Sequence, residues 1–366
     1  MASFFFCLLS CSLYKVMLEE KKPQLTPISE LGEFGLIKHL TENFPIKNSS
    51  TERSIGDDAA IINPEGKKVV ITTDVLAEGV HFNLGYVPLK HLGYKAVVVN
   101  LSDIAAMNAV PTQILVSMAV SNRFPVEALD EIYDGIYRAC EKYNVDLVGG
   151  DTTSSTSGLV ITITAIGLEN SENLVKRNGA KPNDLLVVTG DLGGAYMGLQ
   201  ILEREHSVYL ANPNMQPEME GYDYILERQL KPEARTDIKK TLEELDIKPT
   251  SMIDVSDGLA SEILHLSDQS KVGFRLYEEK IPLDTLTITT ADEFNLNPAM
   301  CALSGGEDYE LLFTISPNDY EKLRNHPDFT VIGHAVDLEQ GNFMVLRGSN
   351  ELAQITAQGW DAFLKK

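Results

Sequence analysis

The chain has 366 residues, with 31 lysines and arginines against 53 aspartates and glutamates, a formal charge of -22. That balance repels free phosphate polymers, and no Lys/Arg run interleaved with aromatics offsets it, so nucleic acid is excluded as a partner while a small phosphorylated substrate screened by cations is not. The length suffices for two domains, and Cys7, Cys11, Cys140 and Cys301 lack zinc-type pairing beyond the isolated terminal pair, so they read as reduced thiols of a cytoplasmic protein.

Phe4 to Cys11 is an apolar run like a short signal-peptide core, and Leu8 to Cys11 suggests lipidation and export as the alternative, but no basic segment precedes it and it is too short to span a bilayer. Met17 then opens the polar segment Leu18 to Lys22, so Met17 is the expected physiological start and 1–24 an N-terminal extension. No other stretch is suited to crossing a membrane.

Glu33 to Leu40 predicts a short amphipathic helix, followed by a polar loop from Lys47 to Arg53. Val69 to Thr73 reads as a strand buried on both faces that runs directly into Asp74. Pro88 opens a helix over Leu89 to Ala109, closed before Pro111. Gln113 to Val120 predicts a strand, and Val126 to Tyr143 a helix with Leu129, Ile132, Ile136 and Cys140 on one face. Strands at Asp146 to Gly150 and Leu159 to Gly167 are joined by a short Thr/Ser loop, which rules out an all-parallel array.

The polar segment Glu169 to Lys181 marks a boundary between one domain over 25–168 and a second over 169–366. In the second, Asp184 to Thr189 is a strand, Gly190 to Ala195 turns into a helix ending near Glu203, and Glu205 to Gly221 is an irregular insertion. Helices follow at Tyr222 to Leu230, Thr236 to Leu245 and Leu259 to Leu266, with strands around Met252, Val272 to Leu276, Tyr309 to Ile315 and Val331 to Ala335. The class is α/β with mixed, α+β-like sheets in two α/β domains.

Acids recur where apolar runs end. Asp74 closes the first strand, Asp57 and Asp58 precede Ala59, Asp151 follows Gly149 and Gly150, and Asp254 and Asp257 flank Val255 and Ser256. Asp103 lies in the helical run Ala96 to Met107, which has scarcely a polar face, with Asn100 three residues before it on the same side. Like charges brought within about 4 Å repel by roughly 4 kcal/mol per pair at an effective dielectric near 20. One shared acidic site therefore implies divalent cations, magnesium first among them. For each residue a plainer role competes: a turn for Asp57 and Asp58, an N-cap for Asp257, a helix-to-helix hydrogen bond for Asp103. Gly190 to Ala195 reads equally as an anion nest or a tight turn, and Ser304 to Glu310 packs two glycines and three acids between apolar strands. No G-x-x-x-x-G-K-[ST] or G-x-G is present, so neither a P-loop nor a Rossmann or kinase glycine loop is available.

Taken in order, these strings resemble the thiamine-monophosphate kinases, within the superfamily of aminoimidazole ribonucleotide synthetase and selenophosphate synthetase. The resemblance runs from Gly32 to Phe363 through Gly-Asp-Asp-Ala-Ala at Gly56, Thr-Thr-Asp at Thr72, Asn-Leu-Ser-Asp-Ile-Ala-Ala-Met at Asn100, Gly-Gly-Asp-Thr-Thr at Gly149, Arg-Asn-Gly-Ala-Lys-Pro at Arg177, Ile-Asp-Val-Ser-Asp-Gly-Leu at Ile253 and Ser-Gly-Gly-Glu-Asp-Tyr at Ser304. It implies ATP-dependent transfer of a phosphoryl group to thiamine monophosphate, giving thiamine diphosphate, with several magnesium ions and no general base. It further implies metal binding by Asp58, Thr72, Thr73, Asp74, Asp103, Asp151, Asp254 and Asp257. ATP contacts would come from Gly150, Asp151, Arg177 and Ser256, and thiamine contacts from His81, Glu307 and Trp360, the indole of Trp360 facing a cationic ring. A homodimer joined through the N-terminal sheets is implied as well. The rivals are a sister enzyme of the superfamily and an acidic protein that binds magnesium and nucleotide without turnover. Cys7 and Cys11 lie in no glycine-rich segment of the kind selenophosphate synthetase requires, and the chain ends Leu364, Lys365, Lys366, without the terminal cysteine of the hydrogenase-maturation relative.

Overall fold

The computed structural model describes residues 25–55, 59–349 and 351–356. A first helix, α1 (Ile28–Thr41), is interrupted at Gly32, and a two-stranded ribbon, β1 (Thr51–Arg53) and β2 (Ile61–Ile62), follows. Next come β3 (Lys68–Ala77), α2 (Leu89–Ala106), β4 (Val110–Val120), α3 (Val126–Tyr143), β5 (Asp146–Ser154) and β6 (Val160–Glu169). They build a four-stranded sheet in the order β3-β6-β4-β5. The β4-α3-β5 unit is a parallel crossover, and β6 returns antiparallel to both β3 and β4, as the short Thr/Ser loop requires.

β3 departs from expectation. It is an edge strand paired only with β6, and its outward residues Val69, Ile71 and Val75 are 46 %, 64 % and 48 % exposed. Its apolar run therefore covers one face against α2 and leaves the other open in the single chain.

The near-uniform apolarity of α2 has a direct cause: the helix is enclosed on all sides. It lies across β3, β6 and β4, crosses α3, and drives its end, Ala105 and Ala106, into the core of the second half. At the crossing, a Cβ on Gly135 would come 1.9 Å from the Lys90 carbonyl, and one on Gly93 equally close to that of Ile132. Gly135→Ala is expected to cost about 1–3 kcal/mol of stability, measured as a lowered urea midpoint with unchanged slope.

The second half contains β7 (Leu185–Thr189), α4 (Gly194–Ala211), α5 (Asp223–Leu230), α6 (Asp237–Glu244), β8 (Ser251–Asp254), α7 (Leu259–Ser270) and β9 (Gly273–Tyr277). Then follow α8 (Thr285–Glu293), α9 (Pro298–Ser304), β10 (Leu311–Ile315), α10 (Tyr320–Leu323), β11 (Phe329–Val336), β12 (Phe343–Val345) and β13 (Leu352–Gln354). Its sheet runs β13-β12-β9-β11-β7-β10-β8, antiparallel except for β12 on β9. α4 continues to Ala211, so the irregular part of the insertion begins only at Asn212. The stretch before Ser304 is the helix α9, not a strand, started by an Asn297 side chain that accepts from the Ala299 N–H and by Pro298 in the first turn.

Candidate active site

A cavity of about 900 Å³ opens between the two halves, lined by the C-terminal part of β3, the middle of α2, the loop after β8 and the loop after α9. Asp74, Asp103, Asp254 and Asp257 all face it, together with Ser256, His81 and Glu307. The alternation of β3 turns Thr72 and Asp74 to the side of α2. There the Thr72 hydroxyl donates to Asp103 Oδ2 at 2.5 Å, and the Asp74 N–H donates to Asn100 Oδ1 at 3.0 Å. One turn of α2 thus fastens the strand and presents its own carboxylate. From the neighbouring position Ser102 reaches the other half, its hydroxyl donating to Asp254 Oδ2 at 2.7 Å.

The carboxylates feel one another. Burial, then the charges of Asp103 and Asp257, push Asp74 up to about 6. Burial, then Asp103, push Asp254 to about 7 against the opposing Ser102 hydrogen bond. Asp103 and Asp257 are also raised, chiefly by burial, and Arg177 opposes the rise in both. Arg177 is placed by its backbone, because the preceding Lys176 carbonyl accepts from the Met252 N–H at 3.0 Å and its own carbonyl accepts from the Ser270 hydroxyl at 3.0 Å.

Such a set fits a hard cation. Among the described residues no three His, Cys, Asp or Glu side chains form a ready-made cage. Magnesium does not require one, since it keeps several waters and is commonly held by one or two carboxylates plus substrate phosphates. Asp74, Asp103, Asp254 and Asp257 are the described residues that would hold it, and their raised protonation is what cations would relieve.

The loop after α9 is zipped to the end of β8: the Glu307 N–H donates to the Ser256 carbonyl at 2.7 Å and the Tyr309 N–H to that of Val255 at 2.9 Å. The approach demands glycine at 306, where φ is 70° and a Cβ would stand 2.5 Å from the Ser256 oxygen. Glu307 itself takes φ 59°. Its neighbour Asp308 is buried and accepts from the Gly193 N–H at 2.7 Å at the start of α4. The anion position at Gly190 to Ala195 is therefore filled by the protein's own carboxylate.

Three expected residues lie elsewhere. Thr73 faces the opposite side of the sheet, where its hydroxyl donates to the Ile163 carbonyl and accepts from Thr164. Asp151 lies in the same register row as Val75, Thr162 and Ser117, on the outer face and at the far edge strand. Gly150 shares the inner row of Asp74, but three strand spacings away, about 14 Å. Asp58 and Trp360 lie outside the described residues. His81 lines the cavity and accepts from the Ala77 N–H through Nδ1 at 3.1 Å, which also holds its turn.

Sequence reasoning missed Ser102, Gln229, Lys95 and Glu262. Glu262, raised to about 8 by burial first, accepts from the Asp257 N–H at 3.0 Å and so fixes that loop. Lys95 carried the plainest signal, a cation directly before the apolar run Ala96 to Val99 of α2.

Residues 56–168 match the family model for the N-terminal domain of AIR synthase related proteins. The thiamine-monophosphate kinase of Bacillus subtilis is 35 % identical over 310 residues, 83 % of this chain and 91 % of that protein. That of Aquifex aeolicus is 34 % identical over 339 residues, 92 % of this chain and 99 % of that one. The solved structure of AaThiL complexed with AMPPCP and TMP superposes with a TM-score of 0.70 at 32 % identity, covering 94 % of this chain and all of that one. Shared sequence across both halves, the common fold and a cleft lined by the recurring carboxylates place this chain in the thiamine-monophosphate kinase family.

Proposed function

We infer that this chain transfers the γ-phosphoryl group of ATP to thiamine monophosphate, giving thiamine diphosphate and ADP, with magnesium. The carrying observation is a single cleft lined both by four carboxylates that raise one another's protonation and by the clamped carboxylate of Glu307. The AaThiL complex with AMPPCP and TMP supports ATP and thiamine monophosphate as the ligands.

The acceptor oxygen belongs to a phosphate already ionised at neutral pH, so no residue has to remove a proton. The difficulty is bringing two anions together, and this protein's contribution is placement. Magnesium, when bound, cancels phosphate charge and holds attacking and leaving oxygens in line. Asp74, Asp103, Asp254 and Asp257 would hold those ions, with Thr72, Asn100 and Ser102 fixing the acids through the hydrogen bonds described. Arg177 and Ser256 flank the same end and suit the nucleotide phosphates. His81 and Glu307, which line the cavity, suit the thiamine end, and we propose Trp360, outside the described residues, as a third contact. We assign 25–168 and 169–366 as the two domains, 1–24 as an extension, and the cytoplasm as the site of action. Among the described residues no helix is long and apolar enough to cross a membrane.

A homodimer gives Thr73, Gly150 and Asp151 their place. The open sheet face with Val69, Ile71 and Val75 is an apolar surface suited to a second copy, and β3 and β5 are the two free edges of the four-stranded sheet. Two-fold pairing that brings β5 of one protomer beside β3 of its partner carries Asp151 and Gly150 to the partner's Thr72 to Asp74 edge.

The test is an end-point assay with magnesium, ATP and thiamine monophosphate, read by mass spectrometry. Equal amounts of thiamine diphosphate and ADP, abolished by EDTA, are expected. ADP without thiamine diphosphate would reopen the acceptor, and folded protein without turnover would overturn the enzymatic reading.

A further inference from the structure

Lys95 is the oddity of α2. Its side chain is 8 % exposed, flanked by the buried Tyr94, Ala96 and Val97, and an ammonium there is costly unless paired. Its Nζ lies 3.1 Å from Glu307 Oε1 and donates to the Gln229 carbonyl at 2.9 Å. Gln229, on α5, closes the triangle by donating its side-chain Nε2 to Glu307 Oε2 at 2.8 Å. Each oxygen of Glu307 thus meets one donor, from two neighbouring helices, α2 and α5. An ionised carboxylate offers about four lone-pair sites, so roughly two are left for the cavity that Glu307 lines.

We propose that Lys95 is the positioning residue for Glu307: with the Gln229 amide it fixes the carboxylate so that the remaining lone pairs face the cationic thiamine end of the acceptor. This rests on the thiamine-monophosphate kinase reading. The Glu307 side chain is 30 % exposed and stands on a backbone at φ 59°, so without the ammonium only the Gln229 amide opposes its turning into solvent. A merely structural Lys95 predicts the reverse, because replacing a buried ion-pair member in an apolar helix by a matched apolar chain and letting the exposed acid hydrate itself leaves substrate binding alone.

The test is steady-state kinetics of Lys95→Met with each substrate varied in turn. The KM for thiamine monophosphate is expected to rise at least about tenfold while kcat and the KM for ATP stay within about threefold. Gln229→Leu, which keeps the backbone carbonyl, is expected to raise the same KM by about threefold or more, and it decides the matter if Lys95→Met does not fold. In a Glu307→Gln background Lys95→Met is expected to change the KM by less than about twofold, since both act through one group. A folded Lys95→Met with unchanged KM for thiamine monophosphate, or full multiplication of the two effects, overturns the assignment. Wild-type protein that makes no thiamine diphosphate sinks the functional reading instead, and the two failures are told apart by that control.

Discussion

Asp254→Asn is expected to lower turnover by at least about a thousandfold with the fold intact, and at the same time to make the magnesium-free protein more heat-stable above neutral pH. Both effects come from one buried charge. Asp254 is 3 % exposed, held by Ser102, and raised to about 7 by burial and by Asp103. A carboxyl raised on folding stabilises the fold fully only below its unfolded range, and that contribution is lost as pH rises through about 7. Asparagine keeps an acceptor for the Ser102 hydroxyl and has no charge to lose. The midpoint difference between variant and wild type should therefore widen from pH 4.5 to pH 8 without magnesium, and narrow or reverse when magnesium is added, because only wild type has the full set of acids to repay. Calorimetry at the two pH values, with and without the ion, reads it. Near-normal turnover in Asp254→Asn, or in Asp103→Asn, would break the shared acidic site.

Mixing two inactive variants should restore activity if the site is built across the dimer. Asp151→Asn and Asp254→Asn are each expected to be nearly inert alone. In a heterodimer of the two, one site combines an intact Asp254 from one protomer with an intact Asp151 from its partner. After subunit exchange in equal amounts about half the dimers are mixed, each with one competent site of two, so recovery to about a quarter of wild-type activity is expected. The assay is the same product measurement before and after exchange. If Asp151 served its own chain no competent site would form and nothing would return, which would place the far edge strand outside the chemistry.

The carboxylates were legible because each interrupts an apolar run. Asp74, Asp103 and Asp254 could not be dismissed as surface charges, and the structure brings them with Asp257 to one cavity. The helix of α3 was legible to the residue, its apolar stripe unbroken from Val126 to Tyr143. What escaped reading has physical causes. β3 looks doubly buried because it is apolar on both faces, yet one face lacks a cover within the chain. Strand alternation, which sends Thr73 and Asp151 to the face away from Asp74, was available in the sequence, but pairing order and edges were not. Asn297 and Pro298 spelled a helix start that the glycine pair after Ser304 overshadowed. The partners of Lys95 were hidden: Glu307 and Gln229 are more than a hundred residues away in sequence, and only the packing of the two halves joins them.

The enclosure of α2 makes it a gauge. Lys95, paired with Glu307, and Asp103, bound by Thr72, are two helical turns apart on a helix buried along most of its length. Eight residues at 1.5 Å each fix that interval at about 12 Å. On the proposed function, an acceptor would be selected by reach as well as by charge: its ring would meet the carboxylate at one mark while its phosphate arrived at the other. Thiamine without its phosphate would satisfy the first mark and fall short of the second, so it is expected to act as an unreactive competitor of the acceptor, read as inhibition without product.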